Sequence, residues 1–267
     1  ADTTTSSVIA VFAHLPTGDE MCTGFLIAPD LVVTARHCAA PVDSTGTSCA
    51  PNDPKTGNRA GAPLAARDVW TSPDPVITET SKVTMVKEVL VVPDSTGGPM
   101  CGADVALLRL TKAMSDAKPY ALRLDAGPAG GEPFTGVGYG VWDPAKPDDS
   151  GTRRILSGLA VEAVGTSDHT VDGEWIADRG PCAGDSGSPA IGADGAVFGV
   201  MSRGTKATCL SMIYERVDVH AAWLRAEAKK SYEALGLPSP EWVEGKKADA
   251  PVEPPTGAPG ADAGPAP

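Results

Sequence analysis

The sequence is short of positive charge: 22 Lys and Arg stand against 34 Asp and Glu, a net charge of −12. Such a chain repels a phosphate backbone and has no basic stripe for counterion release, so no nucleic acid is expected as a partner. Long apolar runs are also missing. None approaches the roughly eighteen residues of a membrane helix, which leaves no membrane segment in this sequence. The amino terminus lacks a basic segment followed by an apolar one, and any export signal is expected to have been removed already. Histidines number only four, and the cysteines show neither CxxC spacing nor the histidine partners of a structural zinc site. No metal and no cofactor are assigned.

What the chain does have is glycine, 30 residues, and proline, 25, with enough length at 267 residues to bury a large core. Short β-rich runs recur between turn residues: Val8–Ala13, Thr23–Ile27, Leu31–Thr34, Lys82–Val92, Val105–Leu110, Gly136–Tyr139, Ile155–Val164 and Ala196–Ser202. This spacing predicts an all-β antiparallel sandwich or barrel rather than alternating βα units. Asp194-Gly195 between two such runs predicts a tight hairpin with both central residues at positive φ. From Asp218 the pattern becomes helical, with Val219, Ala222, Trp223 and Ala226 on one face, Asp218 as N-cap and Gly236 then Pro238 as the stop. Lysines and glutamates of that helix read as a solvated face. After about Ala248 little remains to bury, so residues 248–267 are expected to be a disordered tail, or a linker toward an anchor or further domain. The six cysteines form an even set that permits fifteen pairings, and on spacing alone could also be reduced core residues.

Three motifs carry chemistry. Thr34-Ala35-Arg36-His37-Cys38 supplies an imidazole, Asp104-Val105-Ala106-Leu107-Leu108 a carboxylate at the edge of an apolar run, and Gly184-Asp185-Ser186-Gly187-Ser188-Pro189 a hydroxyl among glycines. A serine hydroxyl is a weak nucleophile at neutral pH. Acyl transfer needs an imidazole to take its proton and a buried acid to orient that imidazole. The order His, Asp, Ser differs from that of subtilisins and α/β-hydrolases, and argues against an esterase or lipase. His14, His169 and His220 lack such context and read as surface or packing residues.

On these motifs the chain, from about Val8 to Gly236, resembles the trypsin/chymotrypsin-like serine proteases, and the secreted bacterial members more than the animal digestive enzymes. The resemblance implies two packed six-stranded antiparallel Greek-key barrels with a C-terminal α-helix, forming one protease domain over residues 1–247. The site would lie between the barrels, with His37 and Asp104 from the first and Ser186 from the second. It further implies disulfides Cys22–Cys38 and Cys182–Cys209, which leaves Cys49 with Cys101. An oxidising, secreted or extracytoplasmic setting follows, with surface attachment beyond the tail as an open alternative.

By the same resemblance, the backbone N–H groups of Gly184 and Ser186 form the oxyanion hole, and Ser202 donates to Asp104. Asp185 would pair with an α-ammonium group released by zymogen cleavage. No matching Ile-Val-Gly-Gly start is visible, and Thr135-Gly136-Val137 offers no arginine in its place. The expectation is therefore a natural mature terminus that this sequence lacks. The pocket is assigned Gly180 at its base, Gly204 on its wall, and Met201 and Met212 as liners, which favours small or medium apolar side chains. Asp178 and Glu215 are close enough in sequence to disturb that assignment, and plain core filling is the competing reading of the two methionines. Partners would be protein or peptide substrates and a protein inhibitor, and the chain would be a monomer. The alternative function is a catalytically silent homologue acting as a protein-binding module.

Overall fold

The computed structural model describes residues 1–43, 59–141, 143, 145–146, 149–180, 182–205 and 208–245. Fourteen strands are found among them: β1 Val8–Leu15, β2 Gly18–Ala28, β3 Leu31–Thr34, β4 Val42–Asp43, β5 Arg59–Ala60, β6 Val69–Ser72, β7 Thr84–Val91, β8 Ala106–Leu110, β9 Pro133–Gly138, β10 Arg154–Val164, β11 Glu174–Arg179, β12 Pro189–Gly192, β13 Val197–Thr205 and β14 Leu210–Arg216. Six close into a barrel in the order β1-β2-β3-β8-β7-β6, and six into a second in the order β10-β11-β14-β13-β12-β9. Strands β4 and β5 pair separately. Closure removes the exposed edges that open antiparallel sheets must otherwise protect.

Each barrel has its own filling. The first is lined by aliphatic residues such as Ile9, Val11, Leu26, Val32, Leu108 and Leu110. The second holds an aromatic cluster in which Trp175 stacks on Tyr214 with ring centroids 4.2 Å apart, while Phe134 meets Trp175 edge-on at 5.1 Å. A third cluster, with Phe25, Leu107, Val137, Tyr139, Val200 and Leu224, packs the two barrels and the C-terminal helix together. Buried Arg153 reinforces this junction by donating to the carbonyls of Val8 and Pro73, at 2.9 and 3.1 Å, and to Tyr139 Oη at 3.0 Å.

The helix differs from expectation in its face and its start. Helix α1 spans Ala221–Ala234 after a 3-10 turn at Asp218–His220, and His220 occupies the N-cap without a side-chain bond. Asp218 instead pairs with Arg216. The buried positions are Leu224, Glu227, Ala228, Ser231 and Tyr232, whereas Ala222, Ala226 and Val219 are exposed. The reason is tertiary: Arg109 of β8 reaches Glu227 at 2.8 Å and also bonds Ser231, which draws two polar helix residues inward. Glu227 therefore does not belong to the solvated face. The stop at Gly236 holds, with Gly236 N–H donating to Glu233 O and Leu237 N–H to Tyr232 O, the pair of bonds that closes a helix through a left-handed residue.

The β12–β13 turn is longer than expected. Gly195 alone takes positive φ, at +76°, while Asp194 does not. Gly195 N–H bonds Gly192 O and Gly192 N–H bonds Ala196 O, so a three-residue loop with one left-handed residue replaces the two-residue turn, and a separate bulge falls at Phe198 on β13. Residues 248–267, expected to be a tail, lie outside the described residues.

Candidate active site

His37 sits in the 3-10 turn Arg36–Cys38 that follows β3, and Asp104 just precedes β8, the strand paired with β3. That pairing brings two residues far apart in sequence to one end of the first barrel. Asp104 is completely buried. Its Oδ1 accepts the backbone N–H of His37 at 2.9 Å, and its Oδ2 lies 2.8 Å from His37 Nδ1. Ser202 Oγ donates to the same Oδ2 at 2.6 Å. Burial alone would raise this acid, but the charge and ring N–H of His37, the Ser202 hydroxyl and the His37 backbone amide outweigh it and hold Asp104 below the usual carboxylate range. An ionised acid at that nitrogen holds the ring in one tautomer and one orientation.

Ser186 stands between Asp185 and Gly187, before β12, and its Oγ is 3.5 Å from the Ser202 carbonyl oxygen. Its own carbonyl accepts Thr23 N–H at 2.8 Å and lies 3.7 Å from Cys38 Sγ, next in sequence to His37. The loop of the second barrel is thus pressed onto the histidine turn of the first. Gly187 shows how closely: at φ +89°, a Cβ there would stand 2.1 Å from Thr23 O and 2.3 Å from Thr34 Oγ1. Thr23, which no motif singled out, stitches the loops together. Its hydroxyl donates to Gly184 O at 3.0 Å and accepts Tyr139 N–H at 3.1 Å. Gly184 itself adopts φ +93°, open only to a residue without a side chain.

Disulfides brace both sides. Cys22–Cys38 fastens β2 to the histidine turn, and Cys182–Cys209 ties the nucleophile loop to the turn before β14. Each contributes roughly 2–4 kcal/mol. Cys101 is disulfide-bonded, and Cys49 lies outside the described residues. Cys22, His37 and Cys38 come within 4.8 Å of one another, as metal ligands might, but the two sulfurs are spent on their mutual bond.

Asp185 is buried and accepts Gly140 N–H at 2.7 Å and Cys182 N–H at 2.8 Å. Burial pushes its carboxyl up to about 6, against these two amides and the more distant charge of Arg154. A cavity of about 240 Å³ opens beside it, lined by Gly138, Gly140, Cys182 and Arg154 among others. Arg154, which no motif singled out, lines the same cavity and acts on Asp185 through its charge at a distance. It sits on β10 opposite Gly138, and its guanidinium donates to the Asp149 carboxylate at 2.6 Å and carbonyl at 3.1 Å.

At the assigned pocket Met212 lies between two glycines. A Cβ on Gly204 would be 2.3 Å from Met212 Sδ, and one on Gly180 would be 3.1 Å from Met212 Cγ. Met201 packs in the aromatic cluster of the second barrel with Trp175. Asp178 is exposed, and Glu215 is committed elsewhere, its Oε1 accepting Gly102 N–H at 3.1 Å. His14 pairs on the surface with Asp19, His169 is exposed, and His220 packs in the turn before α1.

Two closed six-stranded barrels with this cleft define a trypsin-like fold. A family model described as Trypsin matches residues 2–224, and the chain belongs to the trypsin family of serine proteases. Among solved structures it is similar to a scabies mite inactivated protease paralogue, at 18% identity and TM-score 0.60, covering 84% of this chain and 95% of that one. It is equally similar to neuropsin, a serine protease expressed in the limbic system of mouse brain, with 18% identity, TM-score 0.60 and coverage of 84% and 95%. No curated protein matches.

Proposed function

We propose that the chain is an active, secreted serine endopeptidase that cleaves peptide bonds through an acyl-enzyme. Ser186 is the nucleophile, and His37 takes its proton and then gives it to the leaving amine. Asp104 orients the imidazole, and the N–H groups of Gly184 and Ser186 receive the oxyanion. The observation that carries this reading is the convergence on Asp104 Oδ2 of His37 Nδ1 and Ser202 Oγ, with Ser186 Oγ beside the Ser202 carbonyl. Protein or peptide substrates, a monomeric enzyme, inhibition by a protein and an extracytoplasmic site of action belong to the same reading. The two described disulfides support the oxidising compartment.

Met212 between Gly180 and Gly204 supports a shallow apolar pocket that takes small or medium side chains before the scissile bond. The cavity beside Asp185 has the place and charge for an α-ammonium group, which would lower that acid and steady the oxyanion loop. A second reading, a silent homologue that binds a protein partner, draws on the same raised Asp185: an oxyanion loop without its cation leaves a triad that does not turn over. Cleavage of a peptide library, with Ser186→Ala as control, separates the two. The proposal expects cuts after small aliphatic residues that vanish in the variant. Absence of cuts from a protein with its natural mature terminus would favour the binding module.

A further inference from the structure

Behind Asp104, on the side away from His37, lies a charged cluster that the proposed reaction does not use. Arg203 follows Ser202 on β13 but turns inward, with only 9% of its side chain exposed. It donates to both oxygens of Glu174, at 2.6 and 2.9 Å, and to His169 O at 3.1 Å. Its Nη1 lies 3.5 Å from Ser202 Oγ, the hydroxyl held by Asp104. Glu174 on β11 and Glu215 on β14 are paired across the strands, and both are completely buried.

The two acids converge on one backbone donor, Gly102 N–H, with Oε1 of each at 3.1 Å. Gly102 is two residues before Asp104. Its backbone is so close to Gly173 that a Cβ there would stand 3.2 Å from Gly102 Cα. Three strands of the second barrel thereby grip the segment of the first barrel that carries Asp104.

We propose that Arg203 is a positioning residue for Asp104 and His37, locked beneath them by Glu174. The inference rests on the serine protease reading above. Two buried carboxylates lie near a single guanidinium, which bonds Glu174 through both of its oxygens, and an interior cannot hold both charges against one cation at low cost. Burial, reinforced by the charges of Glu174 and Asp104, pushes Glu215 well above the carboxylate range, so it keeps its proton. Arg203 then balances Glu174, and Asp104 faces His37 with the buried Arg36 as a further cation near it. The groups around this cluster are Asp104 and the buried Arg36 from the first barrel, Glu174, Arg203 and Glu215 from the second, and His220 near Gly102. An extra negative charge beneath Asp104 would hold a proton on His37 and remove it as a base, which is the state Arg203 prevents.

The test follows the His37 ring by NMR titration of the full chain and, in parallel, the acid limb of kcat/KM on a peptide substrate with active sites counted. Arg203→Met should move both midpoints to higher pH by about half to one unit, the size of one buried charge acting several ångströms away. Arg203→Lys should bring them back toward wild type. Glu174→Gln with Glu215→Gln, which leaves Arg203 unopposed, should move them to lower pH, and this double variant decides the matter if Arg203→Met does not fold. Midpoints that coincide in all variants, with only the folded fraction falling, would reduce Arg203 to a structural residue and overturn the proposal. Should the ring midpoints move as stated while wild type hydrolyses nothing, the positioning role survives and the protease reading falls.

Discussion

Met212→Ala gives the sharpest test of the pocket. Cγ, Sδ and Cε of Met212 fill the space between Gly180 and Gly204, as the 3.1 and 2.3 Å approaches of their hypothetical Cβ atoms indicate. Truncation to alanine removes these three heavy atoms, about what separates a leucine side chain from an alanine. At roughly 0.8 kcal/mol per buried methylene, leucine before the scissile bond should gain about 2.4 kcal/mol of transition-state binding relative to alanine. That is about a 50-fold rise in the leucine-to-alanine ratio of kcat/KM. Paired peptide substrates differing only at this residue, assayed with active sites counted, measure the ratio directly. The variant should lose on the order of 2–4 kcal/mol of stability, because Met212 also packs in the second barrel, so the assay belongs well below its melting temperature. An unchanged ratio in a folded variant would refute the assignment and return Met212 to plain core filling.

Asp104→Asn should leave the fold intact and lower kcat by about 10⁴, because an amide no longer selects the His37 tautomer; single-turnover acylation kinetics measure the loss. Asp185 predicts a particular pH dependence of stability. Its carboxyl is pushed up to about 6 from 3.8, so the folded chain binds the extra proton more tightly than the unfolded one. Stability should therefore fall as pH rises from about 4 to about 6, by roughly 3 kcal/mol above that window. Urea unfolding across this range should show the slope in wild type and lose it in Asp185→Asn, and parallel slopes would contradict the burial argument. Glu227→Ala removes one of the two carboxylates on Arg109, which keeps Glu88 at 3.0 Å, and should cost about 1–2 kcal/mol in chemical denaturation. A cost near zero would mean that the pair is solvated.

The apolar strands were legible because their residues alternate or run unbroken: Leu31–Thr34 is buried throughout and was read to the residue. Val69–Ser72, Glu174–Arg179 and Leu210–Arg216 were not. The first ends in Thr71 and Ser72, buried hydroxyl residues that break its apolar run, and the other two bury glutamates that read as solvent-facing until strand pairing sets Glu174 against Glu215. Helix α1 shows the same limit, since Arg109 on a distant strand decides which of its faces turns inward. His37, Asp104 and Ser186 stood out because each lies in a local motif. Thr23, Arg154 and Arg203 did not, because what gives them meaning is a neighbour more than a hundred residues away, across a strand pair or two strands over in the barrel.

The central claim is that the Ser186 hydroxyl becomes a nucleophile when His37 accepts its proton. A fluorophosphonate reacts with such an activated serine and with little else. Intact-mass and peptide analysis of the protein carrying its natural mature terminus should find one adduct, on Ser186, absent from Ser186→Ala and strongly slowed in Asp104→Asn. The same mature protein remaining unmodified under conditions that saturate an active serine protease would contradict the account.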